Sequence, residues 1–210
     1  MRILTVASHL DSQGLDNLVK SCQNRGLDIE VIQADWNGFG TKLLTVFNYL
    51  IENPDIEDFI FVDAYDVIAL GTSKEIEEKI KDREKMLISV EVGAWPDSSL
   101  ANRYPKTKHK WKYINSGSYY SPSKLFIEML KNNMPQYSDD DQLYLSLEYL
   151  NNPDNKILDY NCEVFQSYSF IEHDDFEYEN GRLKNLKTGS CPSIIHSNGR
   201  TENSKLIQMI

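Results

Sequence analysis

Hydrophobic positions along this chain switch repeatedly between two spacings. Ile3-Leu4-Thr5-Val6-Ala7 is an apolar run that predicts a first strand over residues 2–7, and Ser8-His9-Leu10-Asp11 predicts a turn after it. Between 13 and 25 the spacing becomes helical: Leu15, Leu18, Val19 and Cys22 share one face, with Gly26 as the stop. Leu27 to Ile32 predicts a second strand, and Trp36-Asn37-Gly38-Phe39-Gly40 a glycine-containing loop. A helix then starts at Thr41, runs through Leu43, Leu44, Phe47, Leu50 and Ile51, and stops at Asn53-Pro54. Phe59-Ile60-Phe61-Val62 is continuously apolar and flanked by charge, as expected of a strand buried on both faces. Thr72 to Glu75 matches a capping box, and Ile76 and Ile80 carry that helix to about Glu84. Met86 to Val92 predicts a fourth strand. Strand and helix in alternation predict an α/β domain with a mainly parallel sheet covered by helices.

The pattern changes after Val92. Ala94-Trp95-Pro96-Asp97 reads as a turn, and residues 102–112 as a loop holding Arg103, Lys106, Lys108, Lys110 and Lys112. That basic cluster reads as a solvated surface loop, with an anionic acceptor or phosphates as the sharper alternative. Tyr113 to Tyr120 predicts a short strand entered through a polar turn, and residues 123–132 a helix. Ser138 to Asp141 has the composition of an N-cap, followed by a helix marked by Leu143, Leu147 and Leu150. Tyr178-Glu179-Asn180-Gly181-Arg182 carries the Asn-Gly signature of a hairpin. Pro192-Ser193-Ile194-Ile195 predicts a last buried strand ending at His196.

A chain of 210 residues with no internal repeat or evident linker is expected to form a single domain. A net charge of −10 argues against general nucleic-acid binding, which needs a basic face. No apolar run approaches the ~20 residues of a membrane span. The N-terminal apolar run is too short for a signal peptide, so a cytoplasmic setting is the expectation. Cys22, Cys162 and Cys191 are too widely spaced to suggest a disulfide framework or a zinc site.

The candidate chemistry gathers where predicted strands end, which in open α/β sheets is the ligand edge. Ser8, Asp63, Asp66, Glu91, the Asn115-Ser116-Gly117 turn and His196 all sit at such ends. Asp63 and Asp66, three apart on a turn, can converge on one cation, or simply cap local backbone groups. His196 is a plausible third ligand, and a mixed Asp, Asp, His set favours Mn²⁺ over Mg²⁺ because imidazole is the softer donor. Asp139-Asp140-Asp141 opens a predicted helix, where acidic residues are ordinary. The functional reading points Asp140 or Asp141 at a reacting sugar. Trp36 packs locally or stacks on a base. Lys42 is solvated or meets a phosphate. The glycine loop matches neither the phosphate-loop nor the Rossmann fingerprint.

In this order the motifs resemble the glycosyltransferase domain of the procollagen lysyl hydroxylases and related collagen glucosyl- and galactosyltransferases, enzymes of the GT-A type. The resemblance covers nearly the whole chain. Leu4-Thr5-Val6-Ala7-Ser8 is similar to the family's first strand and uridine-contacting turn, with serine where threonine is usual. Trp36 to Lys42 resembles its tryptophan-glycine loop in shortened form, and Phe61 to Val67 its metal motif. Ser89-Val90-Glu91, Trp95-Pro96-Asp97, Tyr113 to Gly117, Asp139 to Leu143 and Ile195 to Gly199 complete the set.

The resemblance implies a Rossmann-like mixed sheet flanked by helices. Residues 1–92 would form the nucleotide-binding half and residues 93–210 the acceptor and sugar half. It implies that Asp63, Asp66 and His196 hold Mn²⁺, with Mg²⁺ the alternative, against the diphosphate of a UDP-sugar. Ser8 and Trp36 would contact the uridine. Asn198, Gly199 and Lys205 would reach the phosphates, Lys205 after a short insertion. Asp140 and Asp141 would face the donor sugar and acceptor, with Asn115 beside them on the catalytic edge. The transferred hexose would be glucose or galactose. The acceptor would be a hydroxyl of another glycan, or hydroxylysine or galactosyl-hydroxylysine of a collagen-like protein. No stretch resembles the family's iron-dependent hydroxylase domain, so that activity is not expected of this chain. The missing secretory signal departs from the animal enzymes and fits a bacterial, phage or large-virus origin. Two other readings of the acidic site stay open: a metal-dependent phosphohydrolase or nucleotidyltransferase, and a non-catalytic nucleotide-sugar-binding module. The stereochemical outcome and the oligomeric state are not legible.

Overall fold

The apolar run at Phe59–Val62 becomes a central strand of the main sheet. The computed structural model describes residues 1–169, 173–199 and Ile207. In the first part of the chain β1 (Arg2–Ala7), α1 (Gln13–Asn24), β2 (Ile29–Gln33), α2 (Gly40–Glu52) and β3 (Asp58–Val62) alternate. β4 (Val67–Ala69) and α3 (Ser73–Lys79) precede β5 (Met86–Glu91). Next come β6 (Tyr113–Pro122), α4 (Ser123–Asn132), α5 (Asp141–Asn151) and β7 (Lys156–Leu158). β8 (Phe165–Ser167), the hairpin of β9 (Phe176–Glu179) and β10 (Arg182–Asn185), and β11 (Ile194–His196) follow.

Six strands form the main sheet in the order β2-β1-β3-β6-β5-β7. β6 runs antiparallel to both its neighbours, β3 and β5, and the other pairings are parallel. Because β6 is reversed, its N-terminal end lies on the same edge as the C-terminal ends of β3 and β5. That edge therefore collects Asp63, Glu91 and Asn115.

The two faces of β3 are buried by different helices, as the period-2 alternation of a strand requires. Phe59 and Phe61 pack with Leu43, Val46 and Leu50 of α2 and with Phe126 and Leu130 of α4. Ile60 and Val62 pack with Leu15, Leu18 and Cys22 of α1 and with Ile76 of α3. Truncating Phe61, fully buried at this junction, to alanine would cost roughly 3–5 kcal/mol.

Past β3 and Asp66 the chain forms a strand of its own, which the sequence pattern did not mark. β4 pairs antiparallel with β11, and β11 parallel with β8, in a small second sheet. The register sets His196 opposite Val67, and the Ser197 amide donates to the Asp66 carbonyl at 2.8 Å. This pairing carries a histidine 130 positions downstream to the carboxylate of Asp66.

Three local expectations are corrected. α3 ends at Lys79, not near Glu84. Beyond it the chain is held at Arg83, whose guanidinium meets Asp58 at 2.7 Å and whose carbonyl accepts from Tyr120 Oη at 3.0 Å. β2 starts at Ile29, because Leu27 still belongs to the end of α1. Its amide donates to the Cys22 carbonyl at 2.9 Å while Gly26, at φ +67°, donates to Gln23: a Schellman motif. Asn115-Ser116-Gly117 is not a turn before a strand but lies inside β6. The Asn-Gly hairpin forms as expected, with Asn180 and Gly181 at φ 52° and 70°. Among the described residues no helix is long and apolar enough to cross a membrane.

Candidate active site

β3 ends by delivering Asp63, whose amide donates to the Gly117 carbonyl at 2.9 Å. Asp66 follows on the turn into β4, and β11 brings His196. One ligand atom from each of Asp63, Asp66 and His196 can lie within 4.8 Å of the others. His196 Nε2 stands 3.2 Å from Asp66 Oδ1 and 3.6 Å from Asp63 Oδ2. Its other ring nitrogen, Nδ1, lies 2.8 Å from Asn115 Oδ1. An amide oxygen can only accept, so Nδ1 carries a proton, and Nε2, which faces Asp66, is the nitrogen a metal would take by displacing the proton there. Space is fitted just as closely. A Cβ on Gly117 would lie 2.1 Å from His196 Cε1 and 2.8 Å from Asp63 Oδ2, so only glycine fits against this set. Two hard oxygen donors and one oriented imidazole fit Mn²⁺ or Mg²⁺.

Asn115 reaches His196 because β6 is bulged there. Ile88 pairs with Tyr119 but Val90 pairs with Ile114, so extra β6 residues bow out between the two registers. The bulge frees Asn115 Oδ1 to accept also from the Gly117 amide, while its Nδ2 donates to Glu91 and Gln142.

Lys42, in the first turn of α2, bridges the two acidic groups. Its Nζ lies 2.9 Å from Asp63 Oδ1 and 2.7 Å from Asp141 Oδ2, and the residue is 7% exposed. Burial opposes the lysine charge, but the two carboxylates outweigh it and hold the ammonium form far above its usual range. Burial, reinforced by Asp63, pushes Asp141 the other way, above the usual carboxylate range, against the pull of Lys42. These directions conflict for one ion pair. The short contact, with a second carboxylate on the same cation, favours the ionised pair. Burial raises Asp66 too, but His196 overcomes it and leaves Asp66 below its ordinary value. Burial alone would lower His196, yet Asp66 and Asp63 raise it.

Behind these groups lies a polar network that sequence reasoning did not single out. Gln142 Nε2 donates to Glu91 Oε1 at 2.7 Å and to the Trp95 carbonyl at 3.0 Å. Gln142 Oε1 accepts from the Ser116 amide at 3.2 Å. Glu91 Oε2 accepts from Asn198 Nδ2 at 3.1 Å. Burial raises Glu91 above its ordinary value, against the hydrogen bonds of Asn115 and Gln142. The available signal was an amide directly after Asp141 at a helix start, where exposed polar residues are also common.

A cavity of about 720 Å³ joins these parts, within the size range of ligand sites. Of the expected site residues, Lys42, Asp63, Asp66, Asn115 and Asp140 line it, with Asp141, His196, Asn198 and Gly199. Asp140 is also the N-cap of α5, its Oδ1 accepting from the Leu143 amide at 2.8 Å. Phe39 and the 68%-exposed Trp95 flank the opening. Ser8 and Trp36 do not line the cavity. The Ser8 amide donates to Tyr65 Oη at 2.8 Å, within the Asp63–Asp66 turn. Trp36, 47% exposed, meets Phe39 edge-on at 5.4 Å. Lys205 falls outside the described residues. None of the basic residues at 103–112 lines the cavity, and Lys110 is paired with Asp175.

Comparison with known proteins shows the family and the fold. The family model described as the PLOD GT domain matches residues 1–208. "Uncharacterized protein R699" of Acanthamoeba polyphaga mimivirus is 33% identical over 201 residues, covering 90% of this chain and 44% of that protein. The "Multifunctional procollagen lysine hydroxylase and glycosyltransferase" of Caenorhabditis elegans is 29% identical over 94% of this chain and 30% of its own length. The chain thus spans less than half the length of these relatives. Among solved structures, a glycosyltransferase involved in glycosylation of the PBCV-1 major capsid superposes with a TM-score of 0.57 at 12% identity, covering 100% of both chains. The galactosyltransferase LgtC gives 0.53 at 12% identity, over 95% of this chain and 88% of its own. At such identity these two show the fold, which is GT-A. A model match over nearly the whole length is decisive for family: the chain belongs to the PLOD GT domain family of glycosyltransferases.

Proposed function

We propose that this chain transfers a hexose, glucose or galactose, from a UDP-sugar to a hydroxyl acceptor, with Mn²⁺ as its resident ion. The observation that carries the reading is the convergence of Asp63, Asp66 and His196 beside Asp140 and Asp141 in one cavity. A divalent ion held by the first three supplies Lewis-acid neutralisation of the departing diphosphate. Asn115 accepts from Nδ1 of His196 and so orients the ring with Nε2 toward the ion site between the carboxylates. Asp140 and Asp141 face the sugar, which gains oxocarbenium character as its bond breaks. Lys42 keeps Asp141 anionic for that role. Ser8 and Trp36 contact the uridine, and Asn198, Gly199 and Lys205 the phosphates. In this reading residues 1–92 serve mainly the nucleotide, and residues 93–210 the sugar and acceptor.

The nematode relative's name supports hydroxylysine or galactosyl-hydroxylysine of a collagen-like protein as acceptor, with another glycan as the alternative. The mimivirus relative supports a large-virus origin, and with it we place the site of action in the cytoplasm. The test is incubation with Mn²⁺, UDP-glucose or UDP-galactose, and peptides carrying hydroxylysine or galactosyl-hydroxylysine. Gain of one hexose by a peptide is the expected result. Release of UMP and hexose 1-phosphate, with no peptide gaining mass, identifies a phosphohydrolase instead; UDP released with free hexose is donor hydrolysis and does not separate the readings. Binding without turnover of any kind identifies a non-catalytic module.

A further inference from the structure

Two loops meet at the cavity rim. Residues 36–40 lead into α2 and carry the residue assigned to uridine. Residues 136–140 lead into α5 and carry the aspartates assigned to the sugar. Their backbones are in direct contact. A Cβ on Gly40 would lie 2.0 Å from the Gln136 carbonyl oxygen. A Cβ on Gly38 would lie 2.3 Å from that of Tyr137, and Gly38 has φ +122°, a conformation natural only to glycine. The Gly40 amide donates to the Tyr137 carbonyl at 3.1 Å. α2 has no side-chain cap, so this carbonyl from across the rim satisfies one of its otherwise unpartnered first-turn amides. On the opposite side Asp139 Oδ2 accepts from the Gln136 amide at 2.8 Å, and the Asp139 amide donates to the Gln136 carbonyl at 3.1 Å. The receiving carbonyls are therefore held in a tight turn that leads directly to Asp140.

We propose that this glycine contact is a positioning lock. Gly38 and Gly40 set how far the nucleotide-side loop stands from the aspartate turn, and so place Asp140 and Asp141 relative to the donor sugar. Lys42, two residues beyond Gly40, grips Asp141 along the same line. Any side chain at Gly40 must part the two backbones by about 1 Å, the gap between 2.0 Å and the 3.0 Å that real contacts keep. A misplacement of that size at reacting groups costs on the order of 100-fold in rate. The metal ligands lie on other elements, so Mn²⁺-dependent UDP affinity should fall much less than turnover, any loss coming through Trp36 on the displaced loop. The inference rests on the sugar-facing role proposed above for Asp140 and Asp141.

The test compares Gly40→Ala, Asp139→Ala and Gly26→Ala in the full chain with Mn²⁺ and the active UDP-hexose. Gly26 has positive φ and a Cβ there meets nothing within 4 Å, so it shows what destabilisation without a clash at the rim does to turnover. In Gly40→Ala, turnover per folded molecule should fall on the order of 100-fold, with Mn²⁺-dependent UDP affinity falling by less than about tenfold. Asp139→Ala loosens the turn without a clash. It should lower turnover in the same sense and speed hydrogen exchange of the Gly40 amide in metal-free protein. Gly26→Ala should melt earlier and keep its turnover. The lock is overturned if Asp139→Ala keeps both wild-type turnover and wild-type exchange at Gly40. It is equally overturned if UDP affinity falls in parallel with turnover. Should Gly40→Ala not fold, Asp139→Ala decides alone. Should the wild type transfer no sugar, the functional reading fails, and the exchange measurement still decides whether the contact locks the two loops.

Discussion

Replacing Lys42 by methionine removes the only charge from a side chain of similar length. Asp141, 4% exposed, then keeps its carboxylate with no cation beside it. Breaking a buried pair by removing one partner costs roughly 3–5 kcal/mol, because the surviving charge is neither solvated nor paired. The lower figure suits this site, since Asp63, the second partner, is partly open to water. For a domain of this length about 3 kcal/mol lowers the melting temperature by roughly 6–12 °C, at ~2–4 °C per kcal/mol. The assay is a thermal melt of Lys42→Met in metal-free buffer, with Lys42→Met/Asp141→Asn beside it. The second substitution removes the stranded charge and should restore at least about half of the loss, which is the signature of direct coupling. If Lys42 served only a phosphate, Lys42→Met would melt with the wild type and merely bind UDP more weakly. A wild-type melting temperature, or no recovery in the double variant, refutes the ion pair as the reason for burying Lys42.

Three further outcomes follow from the same geometry. Alanine at Asp140 or Asp141 should cut turnover far more than UDP affinity in steady-state and calorimetric comparison; a loss of only ~1 kcal/mol of stability with turnover intact would leave Asp140 a simple helix cap. Trp36→Ala should weaken UDP binding roughly five- to hundredfold, on a stacking scale of ~1–3 kcal/mol per base, with Trp36→Phe recovering much of it; unaltered affinity would make Trp36 a packing residue. Burial raises the Glu75 carboxyl, but Arg182 and then Lys79 overcome it and hold it at about 2, below the ordinary 4.5. A depressed value stabilises the fold above the ordinary pKa, and that contribution is lost as pH falls from about 4.5 toward 2. Acid titration of Glu75→Gln should therefore show a smaller loss of stability across that window than the wild type, and identical curves would contradict the assignment.

The long-period signals were legible in the sequence and the short-range ones were not. α1, α2, α4 and α5 each present a buried face over ten or more residues, and β3 is continuously apolar, so pattern alone found them. β4, β7 and β8 have three residues each, too few for any period to register. The missing β4 mattered most, because its pairing with β11 is the physical reason His196 meets Asp66. Asn115 read as a turn because asparagine, serine and glycine together signal one. In β6 the same composition marks a bulge, a tertiary feature of the register with β5. Asp63, Asp66 and His196 were recognisable as residues at strand ends. Glu91 was seen only as another such end, and its bond to Gln142 depends on how α5 packs against β6. The contact of Gly38 and Gly40 with residues 136–137 joins segments nearly a hundred positions apart, which no local reading could anticipate.

The central claim is that Asp63, Asp66 and His196 hold a divalent ion against the diphosphate of a nucleotide sugar. Calorimetric titration of UDP into the full chain, with and without Mn²⁺, tests it directly when repeated on Asp66→Ala. The account predicts UDP binding that requires Mn²⁺ in the wild type and is abolished in Asp66→Ala, with the variant still folded by circular dichroism. Equal UDP affinity with and without Mn²⁺, or unchanged Mn²⁺-dependent affinity in Asp66→Ala, would contradict it.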